Sequence, residues 1–572
     1  MASAAAQALV ERFPDAVSAL PAFRNEEAFV VHSRERLLEV LTFLNTYPQY
    51  RFQLLEDICG VDYPGREKRF EVVYHLYSVR GKQRIRLKVP LDEREPTVPT
   101  ATGIWKTANW FEREAFDQYG IRFEGHPNLR RILNHEDFVG HPLRKDYPLK
   151  GRQKLRQPSN FGWEAQREKE WAGEALEGEL GGGGAEWMVL NIGPAHPTMH
   201  GTLRILVRLD GETILEAYPE IGYLHRGFEK TSESLTYQQV IPLTDRLNYC
   251  SAMMNNVGYC MAVEKLLGIE IPPRAQYIRV IVSELSRIID HFVCIGANVV
   301  DIGALTPFWY CFREREHVYD LLEALCGARL TTSYTRIGGL AYDLPVDWIQ
   351  QCRKVIREDI PRGIDDTERL LTRNRIFIDR TQGVGAISAE DALSWGFTGP
   401  CLRASGVPFD LRKAEPYYGY DRFEFDIPVG KNGDTYDRYL VRMEEMRQSL
   451  RIIEQALDGL PEGPYRVEDK RISLPEKEKV YTQFGSLVRH IKIILDGIIP
   501  PEGEVYSVTE AANGVLGFYI VSDGTKNPYR IKVRPPCFAV YQALPQLTAG
   551  NLVPDLIAII GSLNIIAGEL DR

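Results

Sequence analysis

Asn191-Ile-Gly-Pro-Ala-His-Pro-Thr-Met-His-Gly201 sits between two strand-like runs, and its reading sets the fold of the second half of the chain. Gly193, Pro194, Pro197 and Gly201 favour a shaped loop over a helix. Residues 188–192 before it and 202–209 after it read as strands, and 212–218 alternates in the same way. His196 and His200 stand four apart. On a helix that spacing can chelate zinc, but Pro197 breaks the helix and the Glu of H-E-x-x-H is missing. Two readings remain: histidines that satisfy loop backbone groups, or a polar ligand site where an imidazole delivers protons.

Downstream, residues 237–460 are mostly helical in pattern. Residues 274–300 form one long amphipathic candidate, bounded by Pro272-Pro273 and Gly303, about 40 Å long at 1.5 Å per residue. A second helix is predicted over 306–326, with Thr306 as N-cap, Pro307 at N1 and Gly327 as its stop. A third covers 436–460. The tail returns to strands at 504–508, 515–521 and 529–533, and the apolar run 556–568 reads as a buried helix or strand pair.

Upstream lies a boundary. Residues 151–186 lack a core-forming pattern, 163–180 is rich in good helix formers, and Gly181–Gly184 is a flexible break. Residues 1–150 read as an α/β domain. It has a helix over 35–45 and strands over 70–79 and 83–89, split at Arg80-Gly81-Lys82. A turn-rich arm over 125–149 would lie on a neighbour's surface. The expected class is α+β: an α/β domain (1–150), a charged, Gly-rich linker (151–186), then a β-sheet region, helix bundle and C-terminal α+β region (187–572).

Composition narrows the function. The 572 residues are 44% hydrophobic and 26% charged, which excludes a mostly disordered, collagen-like or polytopic membrane chain. The net charge of −9 argues against a nucleic-acid binder. Residues 1–10 carry no positive n-region, so no secretory leader is expected. Nine cysteines, an odd number without a C-x-x-C pair, fit a reducing compartment and no metal cluster of the chain's own.

Three further polar features stand out. His225, Arg226, Glu229 and Lys230 crowd the segment 221–230, which reads as a solvated turn or a site. Thr244-Asp-Arg-Leu-Asn-Tyr249 reads as a helix start. Asp301 lies among apolar residues, where an acid needs a partner such as a histidine.

The motifs Gly193-Pro-Ala-His-Pro-Thr-Met-His-Gly201, Leu224-His-Arg-Gly-Phe-Glu-Lys230, Arg336-Ile-Gly-Gly339, Arg403-Ala-Ser-Gly-Val407 and Gly568-Glu-Leu-Asp-Arg572 resemble the 49-kDa (D) subunit of respiratory complex I. Upstream, Glu112-Arg-Glu-Ala-Phe-Asp-Gln-Tyr-Gly120, Gly125-His-Pro-Asn-Leu-Arg-Arg-Ile-Leu133 and Gly140-His-Pro-Leu-Arg-Lys-Asp-Tyr-Pro148 resemble its 30-kDa (C) subunit. The chain thus resembles a fused C/D subunit of a bacterial, proton-translocating NADH–quinone oxidoreductase, over nearly its whole length except the linker.

The resemblance implies roles. The quinone is substrate, reduced at the inner end of a tunnel shared with the B subunit, which holds the terminal 4Fe-4S cluster. The family's headgroup-binding histidine falls on His200, its headgroup-binding tyrosine on Tyr249, and the acid paired with the histidine on Asp301. His196 and Arg204 line the same region, and Arg226 lies near the cluster. The implied partners are the B subunit, other peripheral-arm subunits including the I and NADH-oxidising subunits, and the membrane arm. The implied place is the cytoplasmic side of the bacterial inner membrane, as a peripheral subunit.

The chain departs from the family pattern in three places. Ala195 replaces a usual glutamine, and Asn248 stands where an aspartate is common. Thr331 replaces a histidine found in many members near the terminal cluster, so that cluster's potential is expected to vary little with pH. The large subunit of nickel–iron hydrogenases shares this fold but needs two C-x-x-C pairs. Neither 224–230 nor 557–572 holds a cysteine. A purely structural assembly subunit would not need His200, Tyr249 and Asp301 together. A related complex fed by ferredoxin or another donor would share this subunit.

Overall fold

The computed structural model describes residues 3–151, 153 and 187–572. The helix expected over 163–180 and the run Gly181–Gly184 fall outside those residues. Strands β1 (Val17–Ala19), β2 (Ala28–Val31), β3 (Leu54–Asp62), β4 (Phe70–Ser78) and β5 (Gln83–Leu91) form one sheet in the order β1-β2-β5-β4-β3. The turn at residues 79–82 sets the β4/β5 register, pairing Phe70 with Leu91 and Ser78 with Gln83. Within this sheet only the β2–β5 pair is parallel. The α/β reading of 1–150 is therefore corrected to a mixed, mainly antiparallel sheet. A four-residue connection closes a hairpin, whereas a parallel crossover needs a dozen or more residues. Helices α1 (Ala4–Arg12), α2 (Leu37–Thr46) and α3 (Ala108–Tyr119) contribute apolar faces to the same core.

β4 is buried along nearly its whole length, on both faces. The cause lies far away in sequence. Strands Gly503–Ala511, Gly514–Ser522 and Arg530–Arg534 form an antiparallel sheet that packs against the first one. The His75 ring stacks on Tyr506 at 4.0 Å, Arg534 Nε donates to the Glu56 carbonyl at 3.1 Å, and Lys532 Nζ meets Glu114 at 2.6 Å. The turn-rich arm lies on a neighbour as expected, but the neighbour is the same chain. Asn128 Nδ2 donates to Tyr218 Oη (2.7 Å) and Lys230 Nζ to the Arg144 carbonyl (3.0 Å). Ile132, Leu133 and Leu143 enter the shared core despite their polar surroundings.

β6 (Thr97–Pro99) and β7 (Arg122–Glu124) make a short parallel pair. β8 (Trp187–Ile192), β9 (Arg204–Asp210) and β10 (Thr213–Glu220) form an antiparallel sheet around the 191–201 loop, as its flanks predict. The long helix runs Pro273–Asp301, 29 residues and about 43 Å. Pro273 starts it because the first turn needs no N–H there. The chain reverses at Gly303 into Leu305–Cys326. The cap of that helix falls two residues earlier than expected, at Ala304 instead of Thr306, and Thr306 makes no cap bond. Pro307 still fits within the first turn, where backbone donors lack partners anyway. Helix Thr435–Asp458, capped by the Asp434 side chain, completes a core with these two.

The long helix carries charge into this core. Arg279 binds Glu264 (2.6 Å), Glu284 binds Arg412 (3.1 Å), and His291 Nε2 lies 2.8 Å from Glu445. The 556–568 run resolves as helix Val553–Leu563, a left-handed Asn564, and the start of helix Ala567–Asp571. Among the described residues no helix is long and apolar enough to cross a membrane.

Candidate functional site

His196 opens the loop's structured part. Its Nδ1 accepts from Thr198 Oγ1 (2.7 Å), capping a 3-10 turn over Pro197–Met199. Met199 is fully buried and pins that turn. His200 follows in a left-handed conformation, φ 54°, uncommon for a residue with a Cβ. This turns its ring toward the end of the long helix, where His200 Nε2 and Asp301 Oδ2 lie 2.5 Å apart. The two side chains are 15% and 11% exposed. The other ring nitrogen, Nδ1, bonds to none of the described residues.

Tyr249 lies on a separate turn. The segment 244–249 does not start a helix. It closes helix Tyr237–Thr244 and opens a 3-10 turn at Tyr249–Ser251, which leads into helix Ala252–Leu267. The Asn248 side chain competes for the backbone by accepting the Cys250 N–H at 3.1 Å, which delays the helix. Tyr249 is 38% exposed, and its hydroxyl bonds to none of the described residues. Partial burial, with Cys250 and Asp290 nearby, pushes its phenol up to about 12, so it stays a protonated donor at neutral pH.

The terminal segment holds both sides together. A Cβ at Gly201 would lie 2.8 Å from Ala567 Cβ, and one at Gly568 would lie 2.4 Å from the Arg246 carbonyl. The His200 loop and the Tyr249 turn therefore lean on consecutive residues of one helix. Sequence reasoning did not pick out Gly568 as a spacer, nor Asp290, although an acid inside the run Ile288-Ile289-Asp290 was a visible signal.

The other expected residues fall less centrally. Arg204 is 6% exposed at the start of β9, its guanidinium bound to Asn191 Oδ1 (2.8 Å) and Glu220 (3.0 Å). It braces the sheet below the loop. His196 is exposed and serves its own turn. Arg226 is exposed, donates to the Arg246 carbonyl at 3.1 Å, and has its pKa lowered by partial burial and by Arg246. These two arginines present a cationic edge beside Tyr249's turn. The segment carrying Arg226 is fixed by Asp571, whose carboxylate accepts the Gly222 and Leu224 N–H groups at 2.9 and 2.8 Å.

Comparison with known proteins covers most of the chain. Residues 30–153 match the family model of the respiratory-chain NADH dehydrogenase 30 Kd subunit, and 301–572 match that of the 49 Kd subunit. The chain is 55% identical over 535 residues to the C/D subunit of NADH-quinone oxidoreductase from Bdellovibrio bacteriovorus, covering 93% of each. It is 43% identical to that of Ectopseudomonas mendocina, covering 94% of this chain and 92% of the relative. For the homologue of Methylococcus capsulatus the identity is 41%, over 94% and 93%. Matched in both portions and along nearly its full length, the chain belongs to the C/D subunit family of NADH-quinone oxidoreductase, respiratory complex I.

Proposed function

We propose that His200, Asp301 and Tyr249 bind and protonate the headgroup of a quinone at the inner end of its access path. The observation that carries this reading is the 2.5 Å contact between His200 Nε2, on the shaped 191–201 loop, and Asp301 Oδ2. Quinone reduction takes two electrons and two protons. The electrons would come from an iron–sulfur cluster in the neighbouring B subunit, beside the Arg226–Arg246 edge. Tyr249 Oη and the His200 imidazolium are two donors suited to the two quinone oxygens. Asp301 holds the ring's orientation and balances its charge. When His200 gives up its proton, that pairing weakens, and this change is the first step of coupling to the proton-pumping membrane arm.

In the same reading, residues 1–150 are the 30-kDa-like portion, 151–186 the joining segment and 187–572 the 49-kDa-like portion with its hydrogenase-like architecture. The two family matches support this division. The subunit sits peripherally on the cytoplasmic face of the inner membrane, against other peripheral-arm and membrane-arm subunits. The test uses the assembled complex in membranes. Tyr249→Phe and His200→Ala lower quinone-dependent NADH oxidation about 100-fold or more, while NADH–ferricyanide activity, which bypasses the quinone end, stays native. Asp301→Asn lowers turnover or coupling without loss of assembly. Native quinone turnover in Tyr249→Phe, or native turnover and proton pumping in His200→Ala and Asp301→Asn, would sink the reading.

A further inference from the structure

Resting on the quinone-site reading, we propose that Asp290 is the positioning residue for Tyr249, acting through Asn248 as a donor–acceptor pair of fixed polarity. Both are buried, Asn248 2% and Asp290 1% exposed. Asn248 Nδ2 donates to Asp290 Oδ2 at 2.6 Å, and Asn248 Oδ1 accepts the Cys250 N–H at 3.1 Å. The amide's orientation is thereby set at both ends. Asn255 Nδ2 holds the Asn248 carbonyl at 2.8 Å from below. Tyr249 lies between the two anchored residues, so its ring direction follows from the Asn248 cap.

The other oxygen of Asp290 accepts Asn564 Nδ2 at 2.5 Å. Asn564 is the left-handed residue that ends helix Val553–Leu563, just before the segment on which Gly201 leans. Asp290 therefore ties the Tyr249 turn to the same wall that supports the His200 loop. It touches neither quinone oxygen in this reading. It sets the separation of the two donors.

The pair allows few exchanges. A buried carboxylate needs donors, and here two amides supply them. An aspartate at 248 would put two carboxylates about 2.6 Å apart, where both cannot stay ionised. An asparagine at 290 would face a second NH2 group, or force Asn248 to turn over and drop the Cys250 cap. Exchanging both together restores one donor and one acceptor. The new carboxylate at 248 would accept from the new amide at 290 and still cap Cys250, and the amide oxygen at 290 would still accept from Asn564. Relatives with aspartate at the position of Asn248 must then supply a donor at that of Asp290.

The test is a swap series in the assembled complex: Asn248→Asp, Asp290→Asn, both together, and Tyr249→Phe as reference. Each single exchange should lower quinone kcat/KM about 10- to 100-fold, the order of effect of a displaced catalytic group. The double exchange should return it to within about threefold of native, a coupling that independent sites do not show. NADH–ferricyanide activity stays native throughout. Native kcat/KM in both single exchanges, with Tyr249→Phe impaired, overturns the positioning role alone. A double exchange no better than the worse single one does the same. Native turnover in Tyr249→Phe overturns the quinone-site reading together with it.

Discussion

Asp57 shows what burial does to a single residue at the seam of this chain. Neither carboxylate oxygen has a hydrogen-bond partner among the described residues, and the nearest cation, Lys532 Nζ, is 3.7 Å away. Burial pushes its pKa up to about 7, against an ordinary value near 3.9. Between those values the native chain holds a proton that the unfolded chain has released. Its contribution to stability is therefore complete below about pH 4 and lost as pH rises to about 7. Burial raises Glu112 to about 8 and Glu569 to about 7, with the same sign. The acids held down near 2 by arginines, such as Glu284, lose stability only under more acidic conditions. Asp57→Asn should flatten the fall in melting temperature between pH 5 and 7 and raise the melting temperature at pH 7. A melting series with an unchanged slope would show that Asp57 is already ionised in the native chain.

Among the elements, the short helix Ala567–Asp571 fixes the spacing between the His200 loop and the Tyr249 turn. Gly568 has no room for a methyl group, because the Arg246 and Leu247 carbonyls would lie 2.4 and 2.8 Å from it. Backbone oxygens cannot swing aside as a side chain can. Gly568→Ala should cost about 1–3 kcal/mol as overpacking and raise KM for a short-chain quinone, since the turn carrying Tyr249 must shift. A native KM and melting temperature would show that the helix gives way without disturbing the turn. Elements of this kind are partly legible in the sequence. The bounds of the long helix follow from Pro272-Pro273 and Gly303, and its last residue, Asp301, has the histidine partner that an acid among apolar residues requires. The start of helix Leu305–Cys326 departs from the Thr-Pro signal, which marks a cap only where the chain reverses just before it. Here Gly303 reverses it earlier.

Across the whole molecule, the two halves share one hydrophobic core, with Trp110 of the first packed edge-on to Phe538 of the second at 5.3 Å. Buried ion pairs stitch the same seam, with Lys532 2.6 Å from Glu114 and Arg572 bound to the same carboxylate. No periodicity within 1–150 announces this, because a strand buried by a distant sheet reads like any apolar strand. Sequence motifs pointed to the family, and the loop composition around His200 pointed to a shaped site. The Asn248–Asp290–Asn564 tie was not legible, because its members lie 42 and 274 residues apart. Whether this junction receives the quinone headgroup is decided by photolabelling. The assembled complex is irradiated with a short-chain azidoquinone and the labelled peptides are mapped. Label is expected in residues 191–201 and 244–251, displaced by excess quinone and lost in His200→Ala. Label that resists competition, or that maps to other parts of this chain, would contradict a headgroup site between His200 and Tyr249.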